Sequence, residues 1–431
     1  MAQAEATLPA SGSASTGAPS TALTTADGTP LKVSIRRAMR RNKLLAFGLT
    51  LPLLLFITFS FLMPIFEMTF NSVDNRPVAN TLHRSAAALQ SWDGQGLPSE
   101  AVYAAMAEDL KQAAEERSIG RVATRLNYQE SGMRSVMMGS ARMIERHEPP
   151  WKEALIDINA AWGEGSTWRL IKRESGAITF SYYLNAVDMT YADDGSIVAQ
   201  PEWRQIYVKL FWRTAWMSIL ITALCLVLGF PIAYLLANLP SRHANLLMIL
   251  VLLPFWTSLL VRTSSWIVML QNEGVLNDLM VWIGVISDDG RIQMVYNRIG
   301  TLVAMTQILL PFMILPLYSV MKGISPSYMR AARSLGANPL VAFWRVYVPQ
   351  TLAGVGAGGI LVFILAIGYY ITPALVGGQS GQLISNYIAY HMQQSLNWGL
   401  AASIGTILLA GVMVLYLIYN RLVGIDKMKL G

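Results

Sequence analysis

The stretch "MRAARSLGANPLVAFWRVYVPQ", residues 329–350, decides the fold because it interrupts an otherwise apolar half of the chain. It places three arginines, one glycine and two prolines between two long apolar runs. A Ser-Pro pair at 325–326 and an Asn-Pro pair at 338–339 each supply a helix N-cap followed by a proline at the first helical position. Gly336 suits the position just after a helix end. The pattern predicts two short helices that meet at an angle.

The composition predicts an all-α integral membrane protein. Of 431 residues, 53% are hydrophobic and only 14% are charged, whereas a soluble domain carries roughly 25% charged residues. A membrane-spanning helix needs about 20 mostly apolar residues. Six runs satisfy this requirement, at approximately 44–70, 208–238, 245–270, 299–321, 346–375 and 398–421.

The distribution of Lys and Arg predicts that both termini lie in the cytoplasm, since short cytoplasmic loops are enriched in these residues. The predicted inner loops and ends carry Lys32, Arg36, Arg37, Arg40, Arg41, Lys43, Arg242, Lys322, Arg330, Arg333, Arg345, Arg421, Lys427 and Lys429. The opposite loop 376–397 has no charged residue. The net charge of +7 is therefore mainly a topology feature, and a nucleic-acid partner is not expected.

Five tryptophans lie near the predicted outer ends of spans, where indole rings favour the membrane interface. They are Trp203, Trp212, Trp216, Trp266 and Trp398. We expect all five near the outer face.

The predicted organisation is a disordered tail at 1–31, a basic segment and first span at 32–70, an extracytoplasmic domain at 71–207, a core at 208–421 and a tail at 422–431. The opening Ala-, Ser- and Thr-rich residues do not look like a cleaved signal peptide. In the domain, Ser99 and the apolar residues Val102, Met106, Leu110 and Ala114 predict a capped amphipathic helix. A second helix is expected in 150–173, and strands or an ordered loop in 177–200. Residues 279–286 are too short to cross and suggest a re-entrant or interfacial helix.

The motifs typical of catalysis or cofactor binding are either missing from the sequence or lie in the wrong predicted structure. "GVGAGG" at 354–359 matches a dinucleotide fingerprint by letter but lies inside a predicted span, where Gly354 and Gly358 form a helix-packing G-x-x-x-G pair. The sequence has no P-loop, a single cysteine, Cys225, and four scattered histidines. We expect no catalytic residue, no metal site and no cofactor bound by this chain.

The opening stretch resembles the signature of ABC importer permeases, which consists of Glu-Ala-Ala, three residues, Gly, nine residues, and Ile-any-Leu-Pro. Arg330 replaces the glutamate, and Val346 and Val348 stand for Ile and Leu. The resemblance implies a coupling loop, 325–349, that seats in a groove of an ATP-hydrolysing partner. Composition alone equally allows a plain inner loop whose arginines only set topology. The residues assigned to coupling are Arg330, Ala331, Ala332, Gly336, Asn338, Pro339, Val346 and Pro349.

Helical periodicity gives this loop two candidate docking faces. One consists of Tyr328, Ala332 and Leu335, and the other of Leu340, Phe343, Trp344 and Tyr347.

Three further segments are similar to the first-type permease of bacterial spermidine/putrescine importers. They are "LLPFWTSLLVR" at 252–262, "NEGVLND" at 272–278 and "ILLPFMILPLYSVM" at 308–321. The likeness covers 208–421 well and 44–70 loosely, whereas 71–207 exceeds the family's usual first outer loop. It implies a second permease subunit, two ATPase subunits that carry ATP and Mg, and a periplasmic binding protein, all at the bacterial inner membrane.

Polar and aromatic residues of the spans are candidates for the translocation path, each with a structural alternative. Arg262, about 26 Å along the third span, either faces the path or snorkels to the outer interface. Tyr369 and Tyr370 either face a cationic solute or pack against helices. Glu273 and Asp278 either attract a cation at the mouth or are ordinary loop acids. Trp256 is the remaining candidate for the translocation path.

The sequence therefore predicts an ATP-driven import permease for polyamines or a related small cationic solute, working by alternating access. Import of another small solute, such as an opine or an amino-acid derivative, is the alternative. A stand-alone secondary carrier would show inverted repeats and half-helices at the midplane, and a membrane sensor would need a cytoplasmic output domain. Neither feature is evident in the sequence.

Overall fold

The computed structural model describes residues 31–192 and 194–423. The predicted tails at 1–31 and 422–431 lie outside this range, apart from Leu31, which begins the first helix, and 422–423, which end the last. The described residues form two compact units, the first ending at Glu67 and the second beginning at Met68.

The first unit is a membrane-spanning helix preceded by the basic segment. It comprises α1 (Leu31–Ile57), a π-helical turn (Thr58–Leu62) and the start of α2 (Met63–Asn71). Residues Asn42–Asn71 are long and apolar enough to cross a bilayer. The hydroxyl groups of Thr50 and Thr58 donate to the carbonyl oxygens of Ala46, at 3.0 Å, and Leu54, at 2.8 Å, so these polar groups are satisfied within the helix.

The second unit opens with a mostly helical domain, as the sequence predicts. Its elements are α3 (Arg76–Thr81), α4 (His83–Gln90), α5 (Glu100–Glu115), α6 (Ile119–Asn127), α7 (Met133–Met143), α8 (Trp151–Ile158), α9 (Gly165–Glu174), α10 (Ser181–Ala186), β1 (Met189–Tyr191) and β2 (Ile197–Ala199), with 3-10 turns at Ile144–Arg146, Ala160–Gly163 and Glu202–Arg204. The strands pair antiparallel, with Met189 opposite Ala199.

Helix α5 forms the centre of this domain and confirms the predicted amphipathic pattern. Val102, Met106 and Leu110 are buried against Trp162 and Trp168 in one apolar core. The Ser99 side chain makes no cap hydrogen bond, so that part of the prediction is wrong. The strand prediction for 177–200 holds only for the hairpin, because α10 precedes it.

The rest of the second unit is the helical core. Its helices are α11 (Tyr207–Asn238), α12 (Ser241–Leu252), α13 (Leu259–Met269), α14 (Val275–Trp282), α15 (Arg298–Lys322), α16 (Pro326–Ser334), α17 (Pro339–Ala342), α18 (Val348–Gly368), α19 (Ile371–Val376), α20 (Gly378–Gly381), α21 (Ile384–Gln393) and α22 (Trp398–Val423), with 3-10 turns at Leu253–Trp256 and Asp288–Gly290 and a π-helical turn at Phe343–Tyr347. Within the described residues, five helices are long and apolar enough to span, or six segments if the bent pair Ser241–Trp256 and Leu259–Met269 counts as one span.

Two predicted spans differ from the structure. The third is not one straight helix, because its two arms meet at 98°. Pro254 lacks the amide hydrogen needed to continue the helical ladder, and the chain is extended at Thr257. The fifth span ends at Gly368, and a separate short helix, α19, follows the break at Tyr369 and Tyr370.

Helices α11, α15 and α18 pack closely along one another. A Cβ at Gly354 of α18 would lie 3.1 Å from both Leu317 Cα and the Pro316 carbonyl oxygen of α15. A Cβ at Gly358 would lie 2.8 Å from Met313 Sδ. The predicted role of this G-x-x-x-G pair in close helix packing is therefore confirmed.

The Gly354→Ala substitution should destabilise the protein because its added methyl group meets backbone atoms of α15, which cannot rotate away. Overpacking of this kind costs about 1–3 kcal/mol. We expect a lower midpoint of thermal unfolding for the detergent-purified protein. Gly359→Ala is the matched control, since its Cβ would meet nothing nearer than Thr222 Cγ2, at 3.9 Å. Equal midpoints for the two variants would contradict this packing.

Candidate functional site

The stretch between α15 and α18 forms the predicted pair of capped helical turns. Ser325 Oγ accepts from the Ser327 amide at 3.4 Å, and Asn338 Oδ1 accepts from the Leu340 amide at 3.1 Å. Gly336 has φ +90°, a left-handed conformation that costs glycine little and other residues more. The turn therefore depends on glycine at this position, as predicted.

One face of this stretch is apolar and exposed. The exposed fraction is 89% for Leu335, 69% for Leu340, 65% for Trp344 and 54% for Tyr328. Ala332, predicted to share this face, is half-buried. Tyr328 and Leu335 lie outside the candidate spans, whereas Leu340 and Trp344 lie at the start of the candidate span Pro339–Gly368. Exposed large apolar side chains outside a span are typical of a protein-binding surface.

The structure corrects the second predicted face, because Phe343 and Tyr347 point inward. Phe343 packs edge-on against Tyr234 of α11, with ring centroids 5.6 Å apart, and stacks on Tyr347 at the same centroid distance. Tyr234 and Tyr347 are also in edge contact at 5.3 Å. This aromatic cluster, Tyr234, Phe343 and Tyr347, joins the exposed stretch rigidly to α11 and α18.

Helix α17, the second of the two predicted short helices, is not separate but continues into α18 through the π-helical turn. A residue inserted into the ladder accommodates Pro349, which has no amide hydrogen to donate. In the same turn, the Val346 carbonyl oxygen accepts from Gln350 Nε2 at 2.7 Å. The helix from Pro339 to Gly368 can therefore transmit movement along its length.

Arg330, Ala331 and Arg345 are exposed in this stretch. Among the described residues, Arg330 has no ion pair within the chain. Its charge is therefore available to a partner.

Arg262 does not lie 26 Å along a straight span, because the helix turns at residues 257–258. Its guanidinium donates to the carbonyl oxygens of Pro254 and Thr257, the latter at 3.2 Å. Arg262 thus adds hydrogen bonds to carbonyl groups at the break, where the Thr257 amide also donates to the Pro254 carbonyl oxygen at 3.3 Å, a role that neither sequence alternative contained. Trp256, beside this break, is 90% exposed.

Tyr369 and Tyr370 form the second helix break, and their backbone carbonyls are satisfied by side chains. The Tyr369 carbonyl accepts from Ser385 Oγ at 2.6 Å, and that of Tyr370 accepts from Asn386 Nδ2 at 2.7 Å. The Tyr369 ring packs against the core, whereas that of Tyr370 is 40% exposed. Only Tyr370 keeps an open face for a solute.

The two acids near α14 differ in their surroundings. Asp278 Oδ1 is 2.8 Å from Arg291 Nη1, which neutralises much of its charge. Glu273 is exposed. The structure therefore leaves Glu273 as the better candidate for attracting a cation.

Sequence inspection missed a cavity of about 1120 Å³ at the start of α11. Tyr370 and Asn386 line it, together with the cations Lys209 and Arg213 and the buried His391. Arg213 Nη1 donates to the Gln379 carbonyl oxygen at 3.0 Å. The only advance indication was the density of Gln, Asn and Tyr in a loop that has no charged residue.

His391 connects three elements beside this cavity. Its Nε2 is 2.8 Å from Tyr207 Oη, and its Nδ1 is 2.8 Å from Ser395 Oγ. The Ser395 carbonyl oxygen in turn accepts from Tyr128 Oη of α6 at 3.0 Å. Burial lowers the pKa of His391 from 6.5 to about 4.

The long apolar helices define a multi-pass membrane protein. Residues 229–425 match the family described as binding-protein-dependent transport system inner membrane component. The spermidine/putrescine transport system permease protein PotB of Haemophilus influenzae is 36% identical over 220 residues, which cover 50% of this chain and 76% of that protein. PotB of Escherichia coli is 36% identical over 212 residues, covering 49% of this chain and 76% of that protein.

The chain therefore belongs to this family of ABC importer permeases, as the resemblance in its sequence indicated. A bacterial ABC transporter that imports the polysaccharide alginate is similar at 19% identity and a TM-score of 0.42, over 53% of this chain and 81% of that chain. The family match begins at residue 229 and does not include 71–207. Because members of this family are transport subunits, the family match argues against the hypotheses of a stand-alone secondary carrier and of a membrane sensor.

The stability of the protein should fall as the pH is lowered from about 6.5 to about 4. Over this interval the unfolded chain binds a proton at His391 and the folded chain does not, which costs about 3 kcal/mol in full. His391→Gln should remove this part of the pH dependence, measured as the midpoint of thermal unfolding at each pH. Identical pH profiles for the two proteins would exclude a neutral, buried His391.

Proposed function

We propose that this chain is a permease subunit that imports a polyamine or a related small cationic solute by alternating access. The observation that carries its coupling role is the set of exposed apolar side chains in residues 328–344, of which Leu340 and Trp344 lie on the helix that continues into α18. The polyamine assignment is supported by two spermidine/putrescine permeases that are each 36% identical to this chain.

The partners follow from this role. A second permease completes the path, two ATPase subunits bind the coupling loops, and a periplasmic binding protein delivers solute. ATP and Mg belong to the ATPase subunits, and this chain supplies the surface that they move. Both termini and the coupling loop lie on the cytoplasmic side, in keeping with the arginines around the loop.

Movement at the coupling loop would reach the membrane through the aromatic cluster. Phe343 and Tyr347 lie on the π-helical turn, and Tyr234 lies on α11. A displacement of the loop therefore shifts α11 and α18 together, since packed aromatic rings do not deform independently. The breaks at 257–258 and 369–370 are the points at which the outer parts of the core can change angle.

One observation favours the alternative, a solute that carries a carboxylate, such as an amino-acid derivative. The outer cavity is lined by Lys209 and Arg213 but by only one carboxylate, that of Glu202. Two cations repel a polyamine and attract an acid.

The Leu335→Asp substitution should uncouple the transporter. The side chain is almost fully exposed, so the change does not disturb the core, but it places a charge in the centre of the proposed docking face. We expect at least about a tenfold loss of ATPase subunits recovered with the purified chain and of ATP-dependent uptake into proteoliposomes. Leu335→Met is the control and should retain both. Full recovery and uptake with Leu335→Asp would remove the coupling assignment.

Competition for uptake separates the two solute classes. The complete complex, reconstituted with its binding protein, should take up labelled putrescine or spermidine when ATP is enclosed with the ATPase subunits. An excess of unlabelled polyamine should abolish the uptake, and a zwitterionic amino-acid derivative should not. Uptake of the zwitterion alone would transfer the assignment to the second class, whereas ATP-independent uptake of either would refute the importer mechanism.

A further inference from the structure

The outer domain is fixed to three points at which the chain enters or leaves the membrane. We call residues 178–188, which make these contacts, the collar. Ser72 Oγ, just after the first span, donates to Tyr183 Oη at 2.8 Å. Asp188 caps the start of α11, accepting from the amides of Ile206 and Tyr207, both at 3.0 Å.

The third contact is with the start of α22. Ser403 Oγ donates to the Tyr182 carbonyl oxygen at 3.1 Å, and the Tyr182 ring lies directly on Gly399, where a Cβ would be 2.3 Å from Tyr182 Cε2. Because Asn71, Tyr207 and Trp398 are all ends of spans, these contacts hold the collar at the level where the membrane begins.

The collar and the adjoining hairpin expose large apolar side chains. The exposed fraction is 66% for Ile178, 59% for Phe180, 55% for Ile197 and 74% for Trp203. Ile178 is fixed in this region by the amide of Thr179, which donates to the Val73 carbonyl oxygen at 2.9 Å. Trp203 is four residues before α11 and has the Arg204 guanidinium 4.5 Å from its ring centroid.

We propose that Ile178, Phe180, Ile197 and Trp203 form a membrane-interface anchor that seats the outer domain on the lipid headgroup region where α11 begins. Aromatic rings combined with a nearby arginine are typical of segments that lie in this zone, since one end is apolar and the other polar. The exposed tryptophans Trp212 and Trp398 of the adjoining spans continue the same belt. The domain is thus held against the bilayer as well as against the helices.

The lipid interface is favoured over a protein partner because Thr179, between Ile178 and Phe180, is bonded to Val73 just after one span end, and Trp203 closely precedes the start of another. In the rest of the outer domain, the large apolar side chains of α5 and α9 are buried in its own core. The proposed anchor does not depend on which solute the transporter carries, because it involves contact with the membrane alone.

The test uses spin labels on single cysteines in the complete transporter complex, reconstituted in nanodiscs. The native Cys225 is buried, so a label attaches to the introduced cysteine. Phe180→Cys and Ile197→Cys report on the anchor. Met143→Cys is the matched control, because Met143 is a comparably exposed apolar residue, 43% exposed, and lies in α7, outside the collar and the hairpin.

Accessibility to oxygen, which concentrates in lipid, is compared with accessibility to a water-soluble nickel chelate. We expect labels at 180 and 197 to be several-fold more accessible to oxygen than to nickel, and the label at 143 to show the reverse. Higher nickel accessibility at 180 and 197 would place them in water and overturn the anchor. Low accessibility to both reagents would show that a protein partner covers the patch, which also refutes it.

Discussion

The close approach of α15 and α18 is the contact on which the rest of the core depends. Gly354 and Gly358 carry no side chain, so backbone of one helix meets backbone of the other. In a bilayer, where the hydrophobic effect gives little reason for helices to associate, such packing is a principal source of stability. It also fixes the two ends of the proposed coupling loop, because that loop connects these same helices.

Two breaks in the helices are tolerated because side chains add hydrogen bonds to the backbone carbonyls at those points. Arg262 donates to the carbonyls at the first break, and Ser385 and Asn386 donate to those at the second. A buried or lipid-facing carbonyl without a donor would cost several kcal/mol. Asn386 also lines the cavity at the start of α11, so a residue that satisfies the backbone is also a candidate contact for a solute.

The helical domain inserted between the first span and α11 is attached more firmly than its position in a long loop suggests. Asp188 caps α11, Tyr182 packs on α22, and the Arg125 guanidinium is 2.7 Å from the buried Glu174 beside them. Any rotation of α11 or α22 during transport must therefore move the collar. An anchor in the lipid headgroups would resist that movement, which connects the inserted domain with the transport cycle in a way that a flexible loop would not.

The sequence alone determined the class of the fold, the number of apolar runs, the caps at Ser325 and Asn338, the glycine turn at Gly336 and the helix packing of Gly354. These depend on residues close in the chain or on the requirements of a bilayer, and both are visible as local patterns. Only the tertiary structure decided that Phe343 and Tyr347 face inward, that Arg262 satisfies a helix break, and that His391 meets Tyr207. Each of these outcomes depends on a neighbour far away in sequence, and helical periodicity cannot tell which side of a helix that neighbour will occupy.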